Sequence, residues 1–273
     1  MKVLLIFMQG TYRFVGGSDS FADLLVSVIE ANGGTVNVNE GVEWVKVNNR
    51  HVDYVRSCKG NSYQADYYIS AIHPCTLFTL MPENAFPKAY RTRLNSIPNS
   101  YSAFSVYIKL KSNAFPYINH SEYYMTKYDE IWNFGKPSKA WPLGFLFMTP
   151  PEINQGKYAD KALITSPMLF EDVIKWEDTT VGKRGVDYET WKDEKAQHLL
   201  NCVEELHPGF VACVDKINAA SPLTIRDYYG TKEGSMCGFS KDYKNIPLSQ
   251  VPVVTKVDNL ILTGQNNSLP GFC

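Results

Sequence analysis

Glycines recur at positions 230, 234 and 238 in the stretch running from Ser221-Pro222-Leu223-Thr224 to Gly238, and Gly264 follows the strand-like run Asp258 to Thr263. Glycine has no β-carbon, so both segments suit a close backbone approach to a flat ligand. A strand delivering a glycine at its C-terminal end is also how open α/β sheets meet cofactors. Each segment has a plainer reading, a glycine-rich surface loop for the first and a strand closing in a polar turn for the second, and both readings stay open. No two of the eighteen glycines lie two positions apart, so the dinucleotide fingerprint G-x-G-x-x-G cannot be written anywhere. The Walker pattern is absent as well, which leaves no recognisable phosphate cradle.

Other chemistry-bearing residues point to structure. His120-Ser121-Glu122 imitates half of a zinc deaminase motif without its P-C-x-x-C half. His73-Pro74-Cys75 has no second metal pair and reads as a strand-end turn. No G-x-S-x-G occurs, which weakens a hydrolase reading. The six cysteines, at 58, 75, 202, 213, 237 and 273, show no C-x-x-C spacing and read as free thiols in a reducing compartment. Arg91 and Arg93 read as a solvated helix face, and Tyr188 with Trp191 as packing.

The 273 residues, 44% hydrophobic, suffice for one large domain or two smaller ones with real cores. A net charge of −1 gives no field to hold a polyanion, so nucleic acid is not an expected partner. The apolar run Val3 to Met8 is far short of the roughly 20 residues of a membrane span. The chain therefore reads as cytoplasmic, with peripheral membrane contact left open. Aromatic residues make up 13% of the chain, and a large apolar cavity is one place for them.

The elements that must position these groups follow from periodicity. Ser18, as N-cap, opens a helix with Phe21, Leu24, Leu25, Val28 and Ile29 on one face, closed by Gly33-Gly34. Alternation from Thr35 to Val47, a turn at Asn48-Asn49 and His51 to Ser57 predict a hairpin. Tyr67 to Ala71 is a third strand, after which Pro74 opens a short helix. Tyr101 to Lys111 alternates strictly, with Tyr101, Ala103, Ser105 and Tyr107 on one face and Phe104, Val106, Ile108 and Leu110 on the other. Strands follow at Tyr123 to Thr126, Leu143 to Thr149 and Ala162 to Phe170, then a helix from Glu189 to Leu206. Val214 to Ala219 is a strand leading into a loop at Ser221-Pro222, and Asn259 to Thr263 is the last strand. The expected class is α+β, a mixed and largely antiparallel sheet with covering helices.

Three segments in order resemble one family: Gly10-Thr11-Tyr12-Arg13-Phe14-Val15-Gly16-Gly17-Ser18 with the helix after it, Ser221 to Gly238, and Asn259 to Asn266. The chain is similar over nearly its whole length to the phytoene desaturase, carotenoid isomerase and retinol saturase group of FAD-dependent oxidoreductases. The resemblance implies a fragment of a longer flavoprotein that lacks the N-terminal Rossmann unit and the C-terminal closing helix, so that FAD belongs to the parent and is absent from this chain alone. It implies cofactor-side segments at 1–75 and 221–273 around a substrate-binding domain at 76–220. By position, Val42 would meet the adenine end of FAD, Ala71 would lie near it, and Gly264, Gln265 and Asn266 would approach the pyrophosphate and ribityl chain. Thr224, Arg226, Gly234, Ser235 and Met236 would face the isoalloxazine and substrate. No residue matches a catalytic acid or base. The implied function is to bind an apolar substrate, polyenes included, for an oxidoreductase. A stand-alone module that binds a hydrophobic ligand without flavin is the competing reading.

Overall fold

The computed structural model describes residues 13–133, 136–138, 140–241, 244 and 246–267. The run Val3 to Met8, the family-like residues Gly10 to Tyr12 and Cys273 lie outside the described residues. A five-stranded antiparallel sheet carries the middle of the chain: β5 (Ser102–Leu110), β6 (Ser121–Met125), β7 (Gly144–Met148), β8 (Lys161–Met168) and β9 (Val214–Ala220), in the order β6-β7-β8-β5-β9. The alternation in β5 does what its period dictates. Phe104, Val106, Ile108 and Leu110 are buried against Ala196, Leu199, Leu200 and Val203 of the long helix Val186–Leu206, together with Phe147 and Ile164 from the neighbouring strands. Burial of each such large side chain is worth about 1.5–3 kcal/mol. Many of the aromatic residues go into this core, where Phe115 meets Phe147 and Phe210 edge on, at centroid distances of 6.1 and 5.0 Å.

The remaining elements build a second core. A hairpin of β1 (Val42–Asn48) and β2 (His51–Ser57), with the short β3 (Ser62–Tyr63), packs Val45 and Val52 inward. The helices α2 (Pro74–Thr79) and α3 (Lys88–Ser96) add Leu77, Phe78 and Leu94 to the same cluster, and Phe239, Leu260 and Leu262 close it. Leu260 and Leu262 belong to β10 (Leu260–Leu262), which pairs in parallel with β4 (Tyr68–Ser70). The structure is thus the expected α+β mixture, with one parallel pair beside antiparallel sheets. Among the described residues no helix is long and apolar enough to cross a membrane.

Three local expectations are corrected. The first helix, α1 (Ser18–Ala31), is capped by Gly17 at φ 87° and not by a Ser18 side chain, and it buries none of its residues. Residues 35–41 are not strand, so the hairpin begins at Val42. The expected loop at Ser221-Pro222 is the start of a helix, Pro222–Tyr229. Ser221 Oγ accepts from the Leu223 amide at 3.2 Å, Thr224 Oγ1 accepts from the Ser221 amide at 3.2 Å, and Gly230 closes the helix in the left-handed conformation at φ 63°.

Candidate functional site

The parallel pair places two of the expected cofactor residues side by side. Register matches Leu262 with Ser70, the Thr263 amide donates to Ser70 O at 2.9 Å, and the chain then reaches Gly264 next to Ala71. Gly264 has φ 90°, and a β-carbon there would meet nothing closer than Ala71 O at 3.7 Å, so its outer side is open to a ligand. The turn closes where the Asn267 amide donates to Gly264 O at 3.1 Å. Lys241 braces it from behind, donating from Nζ to Asn266 O at 3.1 Å and to Ser249 O at 2.9 Å, and burial lowers the Lys241 pKa. Asn266 is buried, and its Oδ1 has no hydrogen-bond partner among the described residues. The Asn266 Oδ1 is turned toward Gly238, and the open glycine turn at the C-terminal ends of the parallel strands is what fits one wall of a cofactor site. Val42 lies elsewhere, at the exposed start of β1 opposite Ser57.

The glycine-rich stretch joins this turn to the large sheet. Gly234 (φ 58°) has no room for a β-carbon because Pro222 O occupies that space, and Gly238 (φ 65°) has none because Asn266 Oδ1 does. At these two positions the close approach is therefore to the chain itself. Between them, the Met236 amide donates to Tyr101 O at 3.2 Å and Gly238 O accepts from the Ser100 amide at 2.8 Å, which lays residues 236–238 along the entry to β5. Ser235 is buried there, with Oγ lacking a hydrogen-bond partner among the described residues.

Met236 also borders an apolar cavity of about 260 Å³ on the face of the sheet opposite the core, which Tyr101, Tyr123, Leu146 and Thr165 line as well. Strand register sets Tyr123, Leu146 and Thr165 of its lining in one row across the sheet, Tyr123 opposite Leu146 and Leu146 opposite Thr165, and the row continues beyond the cavity to Ser105, opposite Thr165. Ser105 Oγ and Thr165 Oγ1 are 3.0 Å apart. None of Tyr123, Leu146, Thr165 and Ser105 was singled out on sequence grounds as a site residue. The signal was present in the period-two face of β5 that carries Tyr101, Ala103 and Ser105.

Thr224 and Arg226 have other partners. Thr224 caps its own helix, and Arg226 donates to Glu177 O at 2.7 Å and pairs with Asp227 at 2.8 Å. Asp227 also pairs with the buried Arg184, so these groups lock the helix onto the segment before the long helix. His73 is buried and caps α2: Nδ1 accepts from the Cys75 amide at 3.2 Å, which leaves the Nε2 proton for Asn99 Oδ1 at 3.1 Å. Burial lowers its pKa and keeps the ring neutral. His120 and His207 both meet Glu122, but among the described residues no group of three His, Cys, Asp or Glu side chains could hold a metal.

The arrangement of elements is shared with solved structures. In structure the chain is similar to an oxidoreductase from Methanosarcina mazei (TM-score 0.58, 16% identity, 94% of this chain and 51% of the other). It is also similar to cyclohexylamine oxidase from Brevibacterium oxydans (TM-score 0.53, 11% identity, 93% and 48%). At these identities the likeness is one of fold. In sequence it is 25% identical over 296 residues to human all-trans-retinol 13,14-reductase, covering 97% of this chain and 48% of the relative. The rat protein of the same name is 25% identical over 287 residues, covering 95% and 46%. The resemblance to the retinol saturase-type group thus extends over nearly the whole chain, and the chain spans about half the length of the curated relatives it matches. No family profile matches it.

Proposed function

We propose that this chain forms the substrate-binding part of an FAD-dependent oxidoreductase acting on an apolar, retinoid-like polyene. The observation that carries the reading is the continuity of the site. Met236 borders the apolar cavity, Gly238 two residues on packs against Asn266, and Asn266 belongs to the turn that holds Gly264 next to Ala71. Ala71, Gly264, Gln265 and Asn266 would hold one side of FAD, with Val42 toward its adenine end and Gly234, Ser235 and Met236 beside the ring. The flavin, when bound, supplies hydride acceptance or donation. The protein's own part is to orient the polyene on the sheet and to keep water from it with Tyr101, Leu146 and Met236. No side chain at the cavity is an acid or base at neutral pH, which suits chemistry carried by a cofactor.

The test is equilibrium dialysis of the purified protein against labelled all-trans-retinol, with and without FAD at millimolar concentration. Saturable retinol binding that FAD strengthens is the expected result, because the two ligands would share the wall at Met236. Absence of saturable retinol binding overturns the reading. Retinol binding that FAD leaves unchanged favours the flavin-free binding module.

A further inference from the structure

We infer that the Thr165 hydroxyl, hydrogen-bonded to Ser105, is the specificity element of the apolar cavity and selects ligands that carry one terminal oxygen, an alcohol or a carbonyl, over plain hydrocarbons. The inference rests on the proposal that the cavity holds the substrate. Its physical basis is the position and the hydrogen-bond capacity of the pair. β8 is the central strand of the five, and its Thr165 lines the cavity next to Leu146 on one side while Ser105 flanks it on the other. Tyr101, Tyr123 and Tyr124, the other hydroxyl-bearing side chains of the lining, are exposed, at 37%, 67% and 37%.

Two hydroxyls bring two protons and four lone pairs. The 3.0 Å contact between them uses one proton, and no acceptor in the chain takes the other among the described residues. Ser105 is only 7% exposed and does not line the cavity, so the pair meets the cavity through Thr165, whose hydroxyl offers the spare proton when Ser105 donates to it. In a cavity lined mainly by apolar groups, a hydrocarbon end placed over this pair leaves the spare proton unpaired and shielded from water. An alcohol or carbonyl oxygen satisfies it. Sites built to hydrogen-bond a ligand oxygen reject the analogue lacking it far more strongly than apolar sites tell methylenes apart. The cavity, about 260 Å³, is near the lower limit of small-molecule sites, roughly 300–1,000 Å³. It therefore holds one end of a long polyene, and the end with the oxygen is the one the pair retains.

The experiment compares all-trans-retinol with its deoxy analogue, in which a methyl group replaces the terminal CH2OH, by equilibrium dialysis. The proteins are the wild type and the variants Thr165→Val, Ser105→Ala and Tyr101→Phe, with thermal unfolding as the control for folding. The wild type is expected to prefer retinol by about tenfold. Thr165→Val, which keeps the β-branched shape, should remove that preference and bind the deoxy analogue as well as the wild type does. Ser105→Ala and Tyr101→Phe leave the Thr165 hydroxyl in place and should keep most of the preference. Equal binding of the two ligands by the wild type overturns the inference while the cavity remains a substrate site. A preference that survives Thr165→Val, or that disappears in Tyr101→Phe, overturns it too. If neither ligand binds saturably, the parent reading fails with it.

Discussion

Gly238 packs directly on Asn266, and the Asn266 side-chain oxygen occupies the space a β-carbon at 238 would need. This contact joins the loop that borders the apolar cavity to the turn that would meet the cofactor. It brings together two glycine-containing segments that lie far apart in the chain, at 230–238 and 264–266.

A Gly238→Ala protein should lose about 1–3 kcal/mol of stability, from positive φ together with overpacking against Asn266. Asn266→Ala should recover part of that loss in the double variant. Thermal unfolding of the four proteins gives the coupling, and additivity within about 0.5 kcal/mol would show that the two residues do not compete for the space.

Gly264→Val is a different case, since the space around Gly264 is open but its φ is 90°. The variant should melt lower in the absence of flavin, because a β-branched side chain is strained there. If the turn also meets FAD, affinity should fall by at least about 2 kcal/mol, roughly thirtyfold, in the complete flavoprotein. Unchanged affinity in a folded variant rejects the cofactor role of this turn.

Glu40 accepts hydrogen bonds from Ser57, Asn61 and Tyr63 at 2.6, 2.8 and 2.8 Å, and these hold its carboxyl at a pKa of about 2 against an ordinary 4.5. A carboxylate with a depressed folded-state pKa stabilises fully above its unfolded value and loses that contribution as pH falls toward the folded one. The stability gap between wild type and Glu40→Gln should therefore be constant above about pH 5.5 and narrow between pH 4.5 and 2. Melting curves across that range settle it, and an equal gap at pH 6 and pH 2.5 would remove Glu40 as the anchor of this corner.

All five described cysteines, Cys58, Cys75, Cys202, Cys213 and Cys237, are free. Thiol titration of the denatured protein without reductant should return six equivalents for the six cysteines of the sequence. Two or fewer would contradict the reducing-compartment reading.

Periodicity alone determined the elements that bury one whole face. β5, β8 and the long helix were legible because an alternating or 3.6-residue apolar pattern has one stable way to leave water. The helix at Pro222 carried its signal too, Ser221 before a proline and Gly230 at the far end, and the glycines beyond it are equally compatible with a loop. Tertiary structure alone decided why those glycines are there. Gly234 answers to Pro222 and Gly238 to Asn266, and contacts across such separations leave no local pattern. The same holds for the cavity. The sequence showed that Tyr101, Ala103 and Ser105 share a face, and only strand order and register put Thr165 beside Ser105 and Leu146 beside Thr165 to extend that face across the sheet. Register between distant strands is set by the packing of the whole sheet on its helix, and a strand's own residues do not encode which neighbour it will meet.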